Sequence, residues 1–375
     1  MATQVSPSTF QPKRTNGNLR VQVLHDRAAV EPIWHALEQQ YGAGSLSCSW
    51  IWTSTWLDAF GDEIEHWFVV AEAGASPVGI ALLTRGQAQK RGPLPIRTIH
   101  VGTAGEAPGE GIWIEYNRIL VRPDARQAFL SALVRAPGVR AGGADALQLD
   151  GFAPEELVGL PAARGTRTFR TCFTFALDAG GDPMDSFDRE TRRKLRNGIK
   201  RFTETFGALA VEWIEETGRA EKVLAELITL HQQRWTNAGK PGAFASARFR
   251  AFHDQLIRKL IGEQQVVLAR VTAGNQLVGN FYGLVERGVI FHYQWGLSAF
   301  SDNKLAPGFV TGFMVIDEAR KRRFTELNWL AGESRYKKDL SNSVRNLIWA
   351  EFPLSPWMYT VTGLISAKRT LRGRR

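Results

Sequence analysis

The sequence predicts an α/β protein built as a tandem of two similar halves, each a mixed, mostly antiparallel sheet flanked by helices. Three observations carry this. Helix-spaced and strand-spaced apolar segments are interspersed without the strict alternation of a doubly wound fold. The order over residues 182–352 is helix, strand, two helices, three strands on tight turns, helix, strand, helix, strand, and a fainter version of it precedes residue 178. The 375 residues fit two domains of about 100–200 residues each. With 44% hydrophobic and 22% charged residues, either half can bury a core. The expected division is a disordered lead over 1–17, domains over 18–178 and 179–353, and an apolar and basic tail over 354–375.

In the first half, helical spacing starts near Ala28 and continues through Val30, Ile33, Trp34 and Leu37, with Pro32 tolerated in the first turn. Trp52, Trp56 and Phe60 recur every four residues and so share one helical face that ends at Gly61. Strands are expected over 66–72 and 78–84, joined by the turn at 74–77, and then over 97–102 and 117–121. A helix over 129–134 and a strand over 146–151 complete this half.

Asp188 is placed to cap a helix through Phe206, whose apolar stripe is Leu195, Ile199, Phe202 and Phe206. A strand over 209–215 and a helix over 220–237 follow. Ser246 is placed to cap the next helix, which runs to Ile261. Strands over 266–271, 277–285 and 289–296 are joined at Gly274-Asn275 and Arg287-Gly288, the signature of an antiparallel meander. Pro307-Gly308 opens a helix to about residue 322. A strand over 326–330, a short helix over 333–340 and a strand over 344–352 close the domain.

Composition excludes several classes. Cys48 and Cys172 are too few for a disulfide framework or a cysteine zinc site, and the seven histidines have no ligand spacing, so no metal is expected. No apolar run reaches the 18–20 residues of a bilayer span, and the polar start has no secretory h-region. These features predict a soluble protein of a reducing compartment, the cytoplasm. The net charge of +10 is local: seven lysines and arginines lie between Arg189 and Arg201, opposed there only by Glu190. Further runs lie at 320–323 and 368–375. Anionic partners follow from this charge.

Four segments carry a family resemblance: His231-Gln-Gln-Arg234-Trp235, Tyr293-Gln-Trp-Gly296, Ala306-Pro307-Gly308-Phe309 and Gly332-Glu333-Ser-Arg-Tyr336-Lys337. With the basic opening at 192–196, they resemble the GNAT acyltransferase fold, and within it the CelD- or BioF-like branch of bacterial exopolysaccharide and cellulose gene neighbourhoods. Ser49 to Gly61 and Glu115-Tyr116-Asn117 look like that branch's N-terminal repeat, although the branch usually has aspartate at the position of Glu115. The resemblance implies an acyltransferase that moves an acyl group from acetyl-CoA or another acyl-CoA to an amine or hydroxyl of a sugar or polysaccharide precursor. The related Fem-type transferases take aminoacyl-tRNA instead, which is the alternative donor. A noncatalytic accessory protein of a polysaccharide synthase is the third reading.

Acyl transfer needs a cradle for donor phosphates, a proton acceptor for the nucleophile and a proton donor for the leaving group. The helix start at Gly308 and Phe309, with Lys304 beside it, is the candidate cradle. The phosphate signature Arg/Gln-x-x-Gly-x-Gly/Ala is absent there, so a plain helix start remains the competing reading. His292 and Tyr293 are candidate proton donors. The alternation expected of a regular strand puts Phe291, Tyr293 and Trp295 on one face and Ile290, His292 and Gln294 on the other, and a packed aromatic trio is the alternative for the first set. Glu333 is the candidate base or orienting group, Lys337 the candidate anion ligand, and Tyr336 lies with them; a solvated helix is the alternative. His231, Arg234 and Trp235 share a helical face and are candidate acceptor contacts. The basic stripe at 189–201 suits an RNA backbone, although no RNA-binding motif or stacking platform interleaves with it, which makes tRNA the weaker partner. Aromatic residues and cations over 356–375 suit peripheral contact with the inner face of the membrane, against the alternative that the segment packs back on the domain.

Overall fold

Local signals start most helices where the sequence places them. In the computed structural model, which describes residues 19–42, 45–86, 89–91, 94–112, 115–135, 143–160, 165–177, 181–360 and 362–363, Asp26 accepts the Ala28 N–H at the start of α1 (Arg27–Tyr41), and Ser49 accepts the Trp52 N–H at the start of α2 (Trp50–Phe60). The expected lead over 1–17 and the basic run over 368–375 lie outside the described residues.

The first half contains β1 (Leu19–Leu24), α1, α2, β2 (His66–Ala73), β3 (Ser76–Arg85), the small pair β4 (Gln89–Arg91) and β5 (Leu94–Ile96), β6 (Thr98–Val101), β7 (Leu120–Val121), α3 (Arg126–Arg135), β8 (Ala146–Phe152) and β9 (Thr166–Ala176). The second contains α4 (Arg189–Phe206), β10 (Leu209–Ile214), α5 (Thr217–Asn237), α6 (Ala247–Leu260), β11 (Val266–Ala273), β12 (Gln276–Glu286), β13 (Val289–Leu297), α7 (Pro307–Lys321), β14 (Glu326–Ala331), α8 (Arg335–Asp339) and β15 (Ser343–Pro353). Asp188 caps α4 through the Thr191 N–H, and Ser246 caps α6 through the Phe249 N–H. The β12–β13 hairpin turns through Arg287 and Gly288, both at positive φ, as a tight two-residue hairpin requires.

Twelve strands form one continuous sheet in the order β1-β2-β3-β6-β8-β15-β9-β14-β13-β12-β11-β10, with β7 added on β3. The internal symmetry is in the pairing. Reading inward from β1, three antiparallel pairs are followed by one parallel pair, β6 with β8, and one antiparallel pair, β8 with β15. Reading inward from β10, three antiparallel pairs are followed by the parallel pair β13 with β14 and the antiparallel pair β14 with β9. Each half therefore ends its sheet on the other half's last strand, and β9 and β15 pair at the centre. The sheet runs unbroken across the expected boundary at 178/179.

The cores follow the same plan. On one face α1, α2, α5 and α6 share a single core in which Trp52 meets Phe252 edge-on at 5.0 Å. On the other face α3 covers the first half of the sheet, and α4 and α7 cover the second. The strand alternation predicts this division: Leu268 faces the shared core while Val267 and Ala269 face the α4–α7 core. Across α2 and α6, Arg248 donates to the Ala59 carbonyl and pairs with Asp62, and Lys259 donates to Thr55.

Close packing sets the approach of α5 to β13. A Cβ at Gly296 would lie 2.6 Å from the Leu227 carbonyl oxygen and 2.8 Å from its Cα. Gly296→Ala is expected to destabilise the protein by about 1–3 kcal/mol through overpacking. Urea unfolding checks this, and an unchanged midpoint would mean that α5 yields freely.

Three expectations are corrected. The strand over 117–121 is only β7; its first residue, Asn117, is bent away into the sheet by hydrogen bonds described below. Strands β1 and β9 were not expected at all. In the tail, Met358 is buried and Trp357 donates its indole N–H to Asp145 at 2.9 Å, so these two apolar side chains turn into the protein rather than outward to a lipid surface. Among the described residues, no helix is long and apolar enough to cross a membrane.

Candidate active site

Strands β13 and β14 run side by side only from Val289/Glu326 to Phe291/Asn328 and then part, while β14 stays paired with β9 through a register break between Asn328 and Ala331. This opens a fork. Beside it β13 carries a bulge: Gly283 pairs with His292 and Tyr282 with Gln294, leaving Tyr293 as the extra residue. One extra residue inverts every following side chain. Trp295 therefore does not share the face of Tyr293, as regular alternation predicts, but joins His292 at 4.8 Å under α7, with Trp329 and Tyr336. His292 is buried among these rings, and burial pushes its imidazole down to about 3, so it is neutral. Tyr293 lies on the opposite face, 4.6 Å from the His253 ring.

Two ionisable side chains meet at the fork on one residue. Glu115, from the first half, accepts the Ala331 N–H at 2.7 Å; Lys337, from α8, donates to the Ala331 carbonyl at 2.7 Å and to that of Leu330 at 3.4 Å. Burial raises the Glu115 carboxyl and lowers the Lys337 ammonium, and each partly offsets the other. Such opposed shifts bring an acid and a base towards the same pH, the arrangement that proton transfer needs. Leu330 adopts the left-handed conformation, φ 63°, where β14 breaks register. Tyr116 accepts from the Asn328 side-chain amide at 2.7 Å and packs on Phe291 at 4.9 Å. Glu115, Tyr116, Glu286, Tyr293 and Leu330 line a cavity of about 40 Å³, room for one or two waters. Cys172 is near, but burial pushes its thiol up to about 12 and makes it a poor nucleophile.

The equivalent fork of the first half, between β6 and β8, is plugged. The Asn117 side-chain amide donates to the Val101 carbonyl at 2.9 Å and its N–H donates to the Gly151 carbonyl at 3.0 Å, so one residue bridges the parting strands. The second fork combines an open space with two titratable groups that meet on one backbone residue.

The start of α7 faces a cavity of about 600 Å³ lined by Arg193, Lys194, Asn197, Arg201, Lys304, Phe309 and Arg335, among others. Lys194 pairs with Glu190 and Asp339, and Arg201 with Asp302. Arg193 and Lys304 have no carboxylate partner among the described residues, so their charge is available to an anion at the helix N-terminus. Gly308 points elsewhere: a Cβ there would meet the Leu297 side chain at 3.1 Å, so it packs on β13.

His231 and Trp235 line a groove of about 520 Å³ between α5 and the first-half loop 106–111, together with Gln294, Lys240 and Glu106. Trp235 donates its indole N–H to His231 Nε2 at 2.9 Å while Nδ1 faces Gln232 Oε1 at 3.2 Å, which makes Nδ1 the protonated nitrogen and leaves Nε2 occupied. Arg234 is not in this groove; it lines a separate cavity of about 400 Å³ with Asn303 and Pro307. Glu333 is exposed on the turn after β14 and lines none of these cavities. Glu106, Lys240 and the role of Glu115 were not foreseen. Glu115 stood in a quoted motif, but its partner Ala331 is more than two hundred residues away.

Residues 189–338 match the family described as acetyltransferase (GNAT) domain. Among solved structures the chain is similar to FemX, with 12% identity and a TM-score of 0.58 over 91% of this chain and 99% of that one. It is also similar to L-PGS from Bacillus licheniformis, with 12% identity and a TM-score of 0.52 over 91% and 97%. At these identities the likeness is one of fold. No curated protein matches the sequence.

Proposed function

Taking residues 189–338 as a GNAT acetyltransferase domain, we propose that the chain is an acyltransferase with one active fork, that of the second half. The observation that carries this is the basic cavity at the α7 N-terminus, which opens within the matched segment and holds two unpaired cations. The phosphates of an acyl-CoA bind there, and the acyl carbon lies at the fork beside the Tyr293 bulge. An acceptor nucleophile entering from the groove between the halves forms the new bond to the acyl carbon as the thioester C–S bond breaks. Glu115 takes the nucleophile's proton, and the Lys337 ammonium balances the leaving thiolate. The sugar or polysaccharide-precursor acceptor rests on the sequence resemblance.

A second reading, aminoacyl-tRNA as donor, is favoured by Arg189 and Arg196, which extend the positive surface of α4 beyond what one pyrophosphate needs. Thermal unfolding with CoA, acetyl-CoA, a long-chain acyl-CoA and tRNA tests both. A donor at a hundredfold its dissociation constant should stabilise by about 2.7 kcal/mol. A shift with tRNA alone moves the donor to the second reading, and no shift with any of them overturns the donor site.

A further inference from the structure

Glu106 and Lys240 are the charged groups that line the groove between the halves, and the mechanism above uses neither. Glu106 comes from the first-half loop; the Trp56 indole N–H donates to its Oε1 at 2.6 Å. Burial raises its carboxyl; the Ile112 N–H and the nearby His100 imidazole partly offset the rise, and no lysine or arginine pairs with it among the described residues. Lys240 comes from the loop between α5 and α6. Its ammonium lies 5.4 Å over the Trp235 ring, and it has no carboxylate partner among the described residues. The two charges line one groove from opposite halves without pairing to each other.

Burial disfavours the ionised form of Glu106, and a ligand that brings an ammonium to it through the groove restores that form by pairing with it. A neutral polyol would leave both charges uncompensated. We propose that this groove takes an acceptor carrying both a primary ammonium and an anionic group, the ammonium held by Glu106 and the anion by Lys240, with Trp235 packing against the body between them. Gln294, next to the Tyr293 bulge, lies in the same lining, so a molecule bound here is adjacent to the fork. An ammonium must shed a proton before it can attack an acyl carbon, and a carboxylate beside it is a suitable first acceptor. The inference rests on the reading of this groove as the acceptor entrance. It narrows the acceptor to two sources with the same chemistry, an amino-sugar phosphate or an amino acid.

Calorimetric titration of the full chain without any donor tests it. Glucosamine-6-phosphate and L-alanine carry both charges; N-acetylglucosamine-6-phosphate keeps only the anion, and glucosamine and L-alanine methyl ester keep only the ammonium. At least one two-charge probe should bind tenfold or more tightly than its single-charge analogues, and the stronger of the two identifies the source. Glu106→Gln, whose amide oxygen can still accept from Trp56, should erase the preference for the free amine over the N-acetyl form. Lys240→Ala, a change at an exposed loop residue, should erase the preference for the anion. Equal binding of two-charge and single-charge probes, or unchanged preferences in both variants, overturns the proposal. CoA titrated into the wild type and the same variants separates the two readings: retained CoA binding with no amine preference sinks this inference alone, whereas no CoA binding by the wild type removes the acyl-CoA donor reading.

Discussion

Glu115→Gln is expected to slow turnover by about 10²–10⁴-fold, the usual range for removing a positioned proton acceptor. The glutamine retains an oxygen to accept the Ala331 N–H, so the tie between the first half and β14 persists and the melting temperature should stay close to that of the wild type. The pH profile gives the sharper reading. Burial raises the Glu115 carboxyl above the ordinary carboxylate range. A base works only when ionised, so activity should fall as pH drops through that raised value, earlier than an exposed glutamate would dictate. In Glu115→Gln this acid limb should disappear from the residual activity. Normal turnover with a large loss of stability would make Glu115 a structural bridge between the halves.

The double charge reversal Arg193→Glu with Lys304→Glu is expected to weaken donor binding by at least about 100-fold. Both residues are exposed and neither has a carboxylate partner among the described residues, so the change leaves the packing of α4 and α7 intact. It places two negative charges where the donor's phosphates bind. Wild-type affinity should also fall as salt rises, and the variant should lose most of that dependence. Retained affinity would remove the cavity from the donor site. A substitution at Gly308 is the poorer probe, because its Cβ would press on the Leu297 side chain and confound binding with packing.

Much of the architecture is local and can be read along the chain. Asp188 and Ser246 cap the helices they precede because a side-chain oxygen reaches a backbone N–H three residues on, and that needs no other part of the molecule. The β11–β12–β13 meander follows from two tight turns between apolar runs. The apolar stripe of α4 reads from spacing alone, since Leu195 and Phe202 fall on the buried face. In the same way the His231–Trp235 pair is found four residues apart on α5.

The site was less legible, and each miss has a non-local cause. The bulge at Tyr293 depends on how β12 lies beside β13, and it moved Trp295 to the other face. Arg234 left its expected neighbours because the groove follows one side of α5 while Arg234 points to the other. Glu333 follows Gly332 in the quoted motif, and the turn there presents it to solvent, away from the cavities that the fork and α7 form.

Spacing, caps and turns alone determined most of the element types, the two-part plan and a basic helix α4, because each depends on residues within a few positions of one another. Only the tertiary structure decided that the halves exchange their last strands, that Asn117 closes one fork, and that Glu115 and Lys337 meet on Ala331 at the other. Those outcomes are pairings between segments far apart in the chain. Their hydrogen bonds are satisfied only when both halves of the sheet are assembled, and no periodicity in either segment records its partner.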